Sequence, residues 1–144
     1  MALKGDRYEL ETTVDFFMNT TATRGGVVCL QTAGSGAALD QSAALVRYAP
    51  DQSGQAPIGI LLNDVVDIDQ TRQHINYHKN EVQKGGKVTL LKKGYIVTNM
   101  IEPQPDGPAY AAGQTAFVGP SGFISNTQSA TASQHEQSNG APIG

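Results

Sequence analysis

Tryptophan is missing from this chain, cysteine occurs once and histidine only three times. One cysteine excludes an internal disulfide, and the Val-Val-Cys-Leu setting of Cys29 is that of a buried thiol behaving as a small hydrophobe. His74 and His78 stand four apart, a spacing that would bring them together on a helix, but Ile75-Asn76-Tyr77 between them reads equally as extended chain. No Cys or Glu sits beside them at ligand spacing and His135 lies in a polar tail, so we expect surface or packing histidines, no metal and no cofactor. Long apolar runs are also lacking. None approaches membrane-spanning length, and Lys4, Asp6, Arg7, Glu9 and Glu11 stand where a secretory signal needs an unbroken apolar segment. Nor is there an excess of positive charge: the net charge of -3 provides no general field for nucleic acid or an anionic membrane. The expectation is a chain made in a cytosol, with neither as a partner.

What the chain does have is sixteen glycines and seven prolines in 144 residues, which favours many short strands and turns over long helices. The length fits one domain with appendages. In residues 1–24, Tyr8, Leu10, Thr12, Val14 and Phe16 alternate with Glu9, Glu11 and Asp15 and run into Phe17-Met18, the pattern of one strand with one apolar face. Two readings follow. Either this is the first strand of a barrel, or it is an arm that lays its apolar side chains on a partner, hinged at the Thr- and Gly-rich stretch 19–26.

Val27 to Gln31, Ala43 to Tyr48 and Pro57 to Leu62 read as short apolar strands, and Gly59 inside the third marks a bulge or a close approach of another strand. Val88 to Leu91 and Tyr95 to Val97 flank Lys92-Lys93-Gly94, which predicts a central β-hairpin entered through Gly85-Gly86. Five basic residues between Lys79 and Lys93 then serve as edge and turn lysines. Met100 to Gly113 carries Pro103, Pro105 and Pro108 and should be an exposed loop. Thr115 to Val118 and Phe123 to Ser125 flank Gly119-Pro-Ser-Gly122, a second hairpin. From Asn126 to Gly140 there is no Leu, Ile, Val or aromatic residue, too little to repay ordering without a supporting neighbour.

Chemistry-bearing motifs are sparse. Gly34-Ser35-Gly36 lacks the first glycine of a nucleophile elbow, position 33 being Ala. Asn63, Asp64, Asp67 and Asp69 lack the glycine and terminal Glu of an EF-hand loop and read as solvated turn carboxylates. No nucleophile and base stand at informative spacing, so we expect no enzyme. Lys92-Lys93 at a hairpin tip would also suit a carrier module bearing biotin or lipoate, but without the flanking residues such turns show.

The order of signals in residues 56–125 resembles the head decoration, or capsid cement, proteins of tailed bacteriophages. It consists of Ala56-Pro-Ile-Gly-Ile-Leu-Leu-Asn-Asp-Val, Glu81-Val-Gln-Lys-Gly-Gly-Lys-Val, Lys92-Lys-Gly-Tyr-Ile-Val-Thr-Asn and Gly119-Pro-Ser-Gly-Phe. Phe16-Phe-Met-Asn and Arg24-Gly-Gly-Val-Val are similar to that group too. The resemblance implies an all-β fold: a small β-barrel or β-tulip domain over 27–125, an extended arm and hinge over 1–26, and a polar segment over 126–144. It also implies a structural virion protein on the capsid outer surface, bridging neighbouring subunits of the major capsid protein and associating with copies of itself as a homotrimer. Tyr8, Leu10, Phe16, Phe17 and Met18 are the expected capsid contacts. The alternative is a non-viral β-barrel binding or carrier module. The last residues, Ala141-Pro-Ile-Gly144, repeat Ala56-Pro-Ile-Gly59, which is either accident or the opening of a final strand lost by truncation.

Overall fold

The computed structural model describes residue 3 and residues 7–31, 45–48, 56–68, 80–103 and 109–126. Nine strands lie within them: β1 Tyr8–Met18, β2 Val27–Leu30, β3 Leu45–Tyr48, β4 Pro57–Leu61, β5 Asp64–Val66, β6 Glu81–Gln83, β7 Lys87–Tyr95, β8 Phe117–Val118 and β9 Ile124–Ser125. Five of these close a barrel in the order β1-β3-β2-β4-β7, with β7 returning to β1. The all-β barrel expected from the turn-rich composition is therefore what the chain forms.

Alternation along the strands explains how the barrel fills. Met18, Val28, Val46, Leu61, Val88 and Leu90 bring at least one side chain from each barrel strand into a common interior, joined by Val65 of β5. The next residues on β2, Val27 and Cys29, point the other way and are still buried, against Val118 with Ile60 and Ile124 packed alongside. β2 is thus covered on both faces, which is why it reads as an unbroken apolar run rather than an alternating one. The cover on its outer face is the β8–β9 hairpin, built around Pro120–Gly122 as the Gly-Pro-Ser-Gly motif predicts. A third cluster joins Leu3, Leu62 and Leu91, so Leu3 also packs onto the barrel wall.

β4 shows why Gly59 is a glycine. A Cβ placed there would lie 2.6 Å from the carbonyl oxygen of Leu91 on β7, so any side chain would push the two strands apart. Opposite β2 the register skips Ile58, with Val28 across from Gly59 and Cys29 across from Pro57. Both features suggested by the sequence, the bulge and the close approach, occur together.

Two expectations are corrected. Lys87–Tyr95 is one continuous strand, not two strands of a hairpin turning at Lys92-Lys93-Gly94. Gly94 is required there for a different reason: it faces Glu9, and a Cβ would collide with the carbonyl oxygen of Tyr8. The second correction concerns the arm. β1 pairs with β7 along its length and with β3 through Phe17 and Met18, so residues 8–18 are the first barrel strand. Of the two readings of that stretch, the first is the observed one. Residues 32–44 and 49–55, the histidines, Asp69, Lys79 and the polar segment beyond Asn126 lie outside the described residues.

Candidate binding surface

Among the described residues, β3 pairs with β1 only at Phe17 and Met18, and β4 pairs with β7 only at Leu90 and Leu91. The ladder between β1 and β7 nevertheless continues through Thr12–Leu91 and Glu11–Lys93 to Tyr8–Tyr95, and an isolated bridge joins Leu3 to Thr98 beyond it. The outer halves of these two strands therefore form a ribbon with no further strand beside it among the described residues. Its composition is unusual for such exposure. Tyr8 is 63%, Tyr95 62%, Leu10 59% and Val14 52% exposed. Single apolar side chains on a surface need no explanation, but four on one short ribbon do.

Next to the ribbon lies an open groove of ≈ 760 Å³. It is lined by Tyr95, Ile96 and Val97, by Gln114 to Ala116, and by the apolar side chains of Ile60, Ile101 and Ile124. The segment around Ile101 is held beside β9 by Glu102 N–H donating to the Ile124 carbonyl at 2.9 Å and Ile124 N–H donating to that of Met100 at 2.9 Å. Tyr95 belongs to both ribbon and groove, so the two meet there. The chain matches no protein-family model, no curated protein and no solved structure.

The expected contact residues separate on this surface. Tyr8 and Leu10 are exposed on the ribbon, whereas Phe16 and Phe17 are half-buried where it meets the barrel. Phe16 packs on the interior cluster, and the Lys87 ammonium lies over the Phe17 ring at 5.7 Å from its centroid. Met18 is fully buried in the barrel interior and cannot touch a partner. Val14, Tyr95 and Ile101 were missed by sequence reasoning. Val14 fits the same alternation as Tyr8 and Leu10, while Tyr95 was assigned to the second strand of a hairpin that does not exist.

Several polar groups are committed to structure. The backbone N–H of Arg24 donates to Asp64 Oδ1 at 2.8 Å and its guanidinium lies 3.8 Å from Oδ2, tying the turn before β2 to β5. Asn63 Oδ1 accepts from the Thr89 N–H at 2.7 Å. Neither residue is a free turn carboxylate or amide, as the sequence had suggested. Among the described residues no three of His, Cys, Asp and Glu gather as a metal site. Burial pushes the Cys29 thiol up to about 11, with Arg47 pulling weakly in the opposite direction, so the nucleophilic thiolate is suppressed. Lys92 and Lys93 lie inside β7 rather than at a turn, which removes the geometry a carrier lysine requires.

Proposed function

We propose that the protein is a structural virion component, a decoration protein that binds the outer surface of an icosahedral phage head and bridges neighbouring capsid subunits. The observation that carries this reading is the set of exposed side chains Tyr8, Leu10, Val14 and Tyr95 beside the Ile96–Ile101 groove, in a domain whose other large apolar side chains are, among the described residues, mostly packed away. Uncovered apolar surface of this kind marks a place where another protein sits. The resemblance of residues 56–125 to capsid cement proteins supports the choice of partner. Mechanistically, each copy needs only modest affinity, because a lattice repeats the same site and neighbouring contacts raise the effective concentration. Association with copies of itself as a homotrimer belongs to the same proposal.

Loading tests it. Heads lacking the protein are mixed with it, sedimented and imaged by electron microscopy with and without added protein. Ordered density on the outer surface is expected. Heads that bring down none of it at micromolar concentration would end the reading.

A further inference from the structure

We propose that Met100–Glu102 and the β8–β9 hairpin form a cover that lifts from the outer face of β2 as one unit, and that Tyr48 is the clasp holding it shut. The inference goes beyond the decoration reading and does not depend on it. Its first support is how the cover is attached. Among the described residues the hairpin backbone hydrogen-bonds within itself and to Met100 and Glu102, and none of these bonds reaches a barrel strand. The N–H and carbonyl of Ile124 make the bonds to those two residues, so the cover holds together internally. Two strands of two residues each would be marginal alone in water, and their order comes from seating Val118 and Ile124 on Val27 and Cys29. Thr98 marks the fixed side: its Oγ1 donates to the Gly25 carbonyl at 3.0 Å and accepts the Met100 N–H at 3.1 Å.

The seam between cover and barrel is open at two places. The groove described above takes Ile101 and Ile124 from the cover and Ile60 from β4. A second depression of ≈ 670 Å³ takes Met100, Ser121 and Phe123 from the cover and Thr23, Tyr48 and Val65 from the rest. Tyr48 joins the two bodies. A Cβ on Gly122 would collide with its ring, and one on Gly26 would lie 2.8 Å from its Cζ, so the ring packs at once on the hairpin turn and on the turn before β2. Its hydroxyl donates to the Thr23 carbonyl, which fixes the ring on the barrel side. The hairpin turn is strained: Ser121 holds φ 56° and ψ 29°, a left-handed conformation costly for a residue with a Cβ. Lifting the cover relieves that strain and parts no barrel strand, and a segment without a ladder to the main sheet opens before the core does. Opening bares Val27 and Cys29, and it widens the groove, because Ile60 stays with β4 while Ile124 leaves.

The test is native-state amide hydrogen exchange on the full chain. The hydrogen-bonded amides of Glu102, Gly119 and Ile124 should share one opening constant, at least roughly tenfold larger than that of the Leu61 and Leu62 amides of the barrel, and with a shallower dependence on denaturant. Two variants separate the bodies. Val88→Ala weakens the barrel interior in the closed and the lifted state alike, so it should speed exchange at Leu61 and Leu62 at least roughly tenfold and change the three cover amides by less than about twofold. Gly122→Ala presses a methyl group into the Tyr48 ring only when the cover is shut, so it should speed the cover amides, and the slow residual labelling of Cys29 by iodoacetamide, by a common factor of roughly ten or more. Since the comparison of amides in the unaltered chain is decisive by itself, a misfolded variant does not rescue the proposal. Cover amides that exchange no faster than Leu61 and Leu62, opening constants that differ among the three, or equal acceleration of cover and barrel by Val88→Ala would each overturn it.

Discussion

A chain shortened to residues 25–144 should fail to fold, because it lacks one stave of a closed barrel. Two of the side chains removed, Leu3 and Met18, are 1% and 0% exposed. At about 1.5–3 kcal/mol for burying a large apolar side chain, they account for roughly 3–6 kcal/mol between them. The loss does not stop there. Val46, Val88 and Leu90 would lose cover that Met18 and Phe16 provide, and β7 would lose the antiparallel partner that runs along most of its length. A domain of this size has about 5–15 kcal/mol of stability in total, so the deletion exceeds or exhausts it. Circular dichroism and a thermal melt read the outcome, with a chain lacking only residues 1–6 as the companion. That shorter deletion removes Leu3 but keeps β1, so it should stay folded with a midpoint lowered by roughly 3–12 °C, at about 2–4 °C per kcal/mol. A cooperative melt of the 25–144 chain near the full-length midpoint would refute the assignment of β1 to the barrel.

Further outcomes follow from the same geometry. Tyr8→Ser combined with Leu10→Ser changes two exposed side chains and should leave the melting midpoint nearly unchanged while reducing head loading at least tenfold, as roughly 1.4 kcal/mol of lost contact would do; equal loading would clear the ribbon of that role. Gly94→Val drives a side chain into the Tyr8 carbonyl and should speed hydrogen exchange at Tyr8 to Glu11 without affecting the amides of Val88 and Leu90. Cys29 should resist iodoacetamide at pH 8 in the native protein and react fully in denaturant. Because burial raises its folded-state value to about 11 from an ordinary 9.0, its contribution to stability is complete below pH 9 and is lost as the pH climbs through 11. Tyr48, whose hydroxyl is also raised by burial, adds a loss of the same sign; urea midpoints that rise between pH 9 and 11 would contradict both.

Local chemistry was enough to locate most strands. Val27–Leu30, Pro57–Leu61 and the Gly119–Gly122 turn were legible because a short apolar run, or a Pro and Gly pair at fixed offsets, restricts the backbone whatever else the chain does. Gly59 was legible for the same reason: an interior glycine in an apolar strand has few explanations besides proximity. Lys92-Lys93-Gly94 misled because those letters suit a turn, and nothing near them in sequence reveals that Glu9 and Tyr8 will lie alongside, some eighty positions earlier.

The candidate surface followed the same division. Alternation picked out Tyr8 and Leu10 as members of an apolar face, and it picked out Met18 equally well. Whether such a residue is covered depends on how the strands close: the barrel encloses Met18, while Tyr8 and Leu10 on the same strand stay exposed. Side-chain period and turn residues are properties of a few adjacent positions, so the amino-acid order alone determined that this is a β-rich chain and roughly where several of its strands lie. Which strands meet, and which apolar residues stay wet, is set by closure of the barrel among distant segments, and that was decided only in three dimensions.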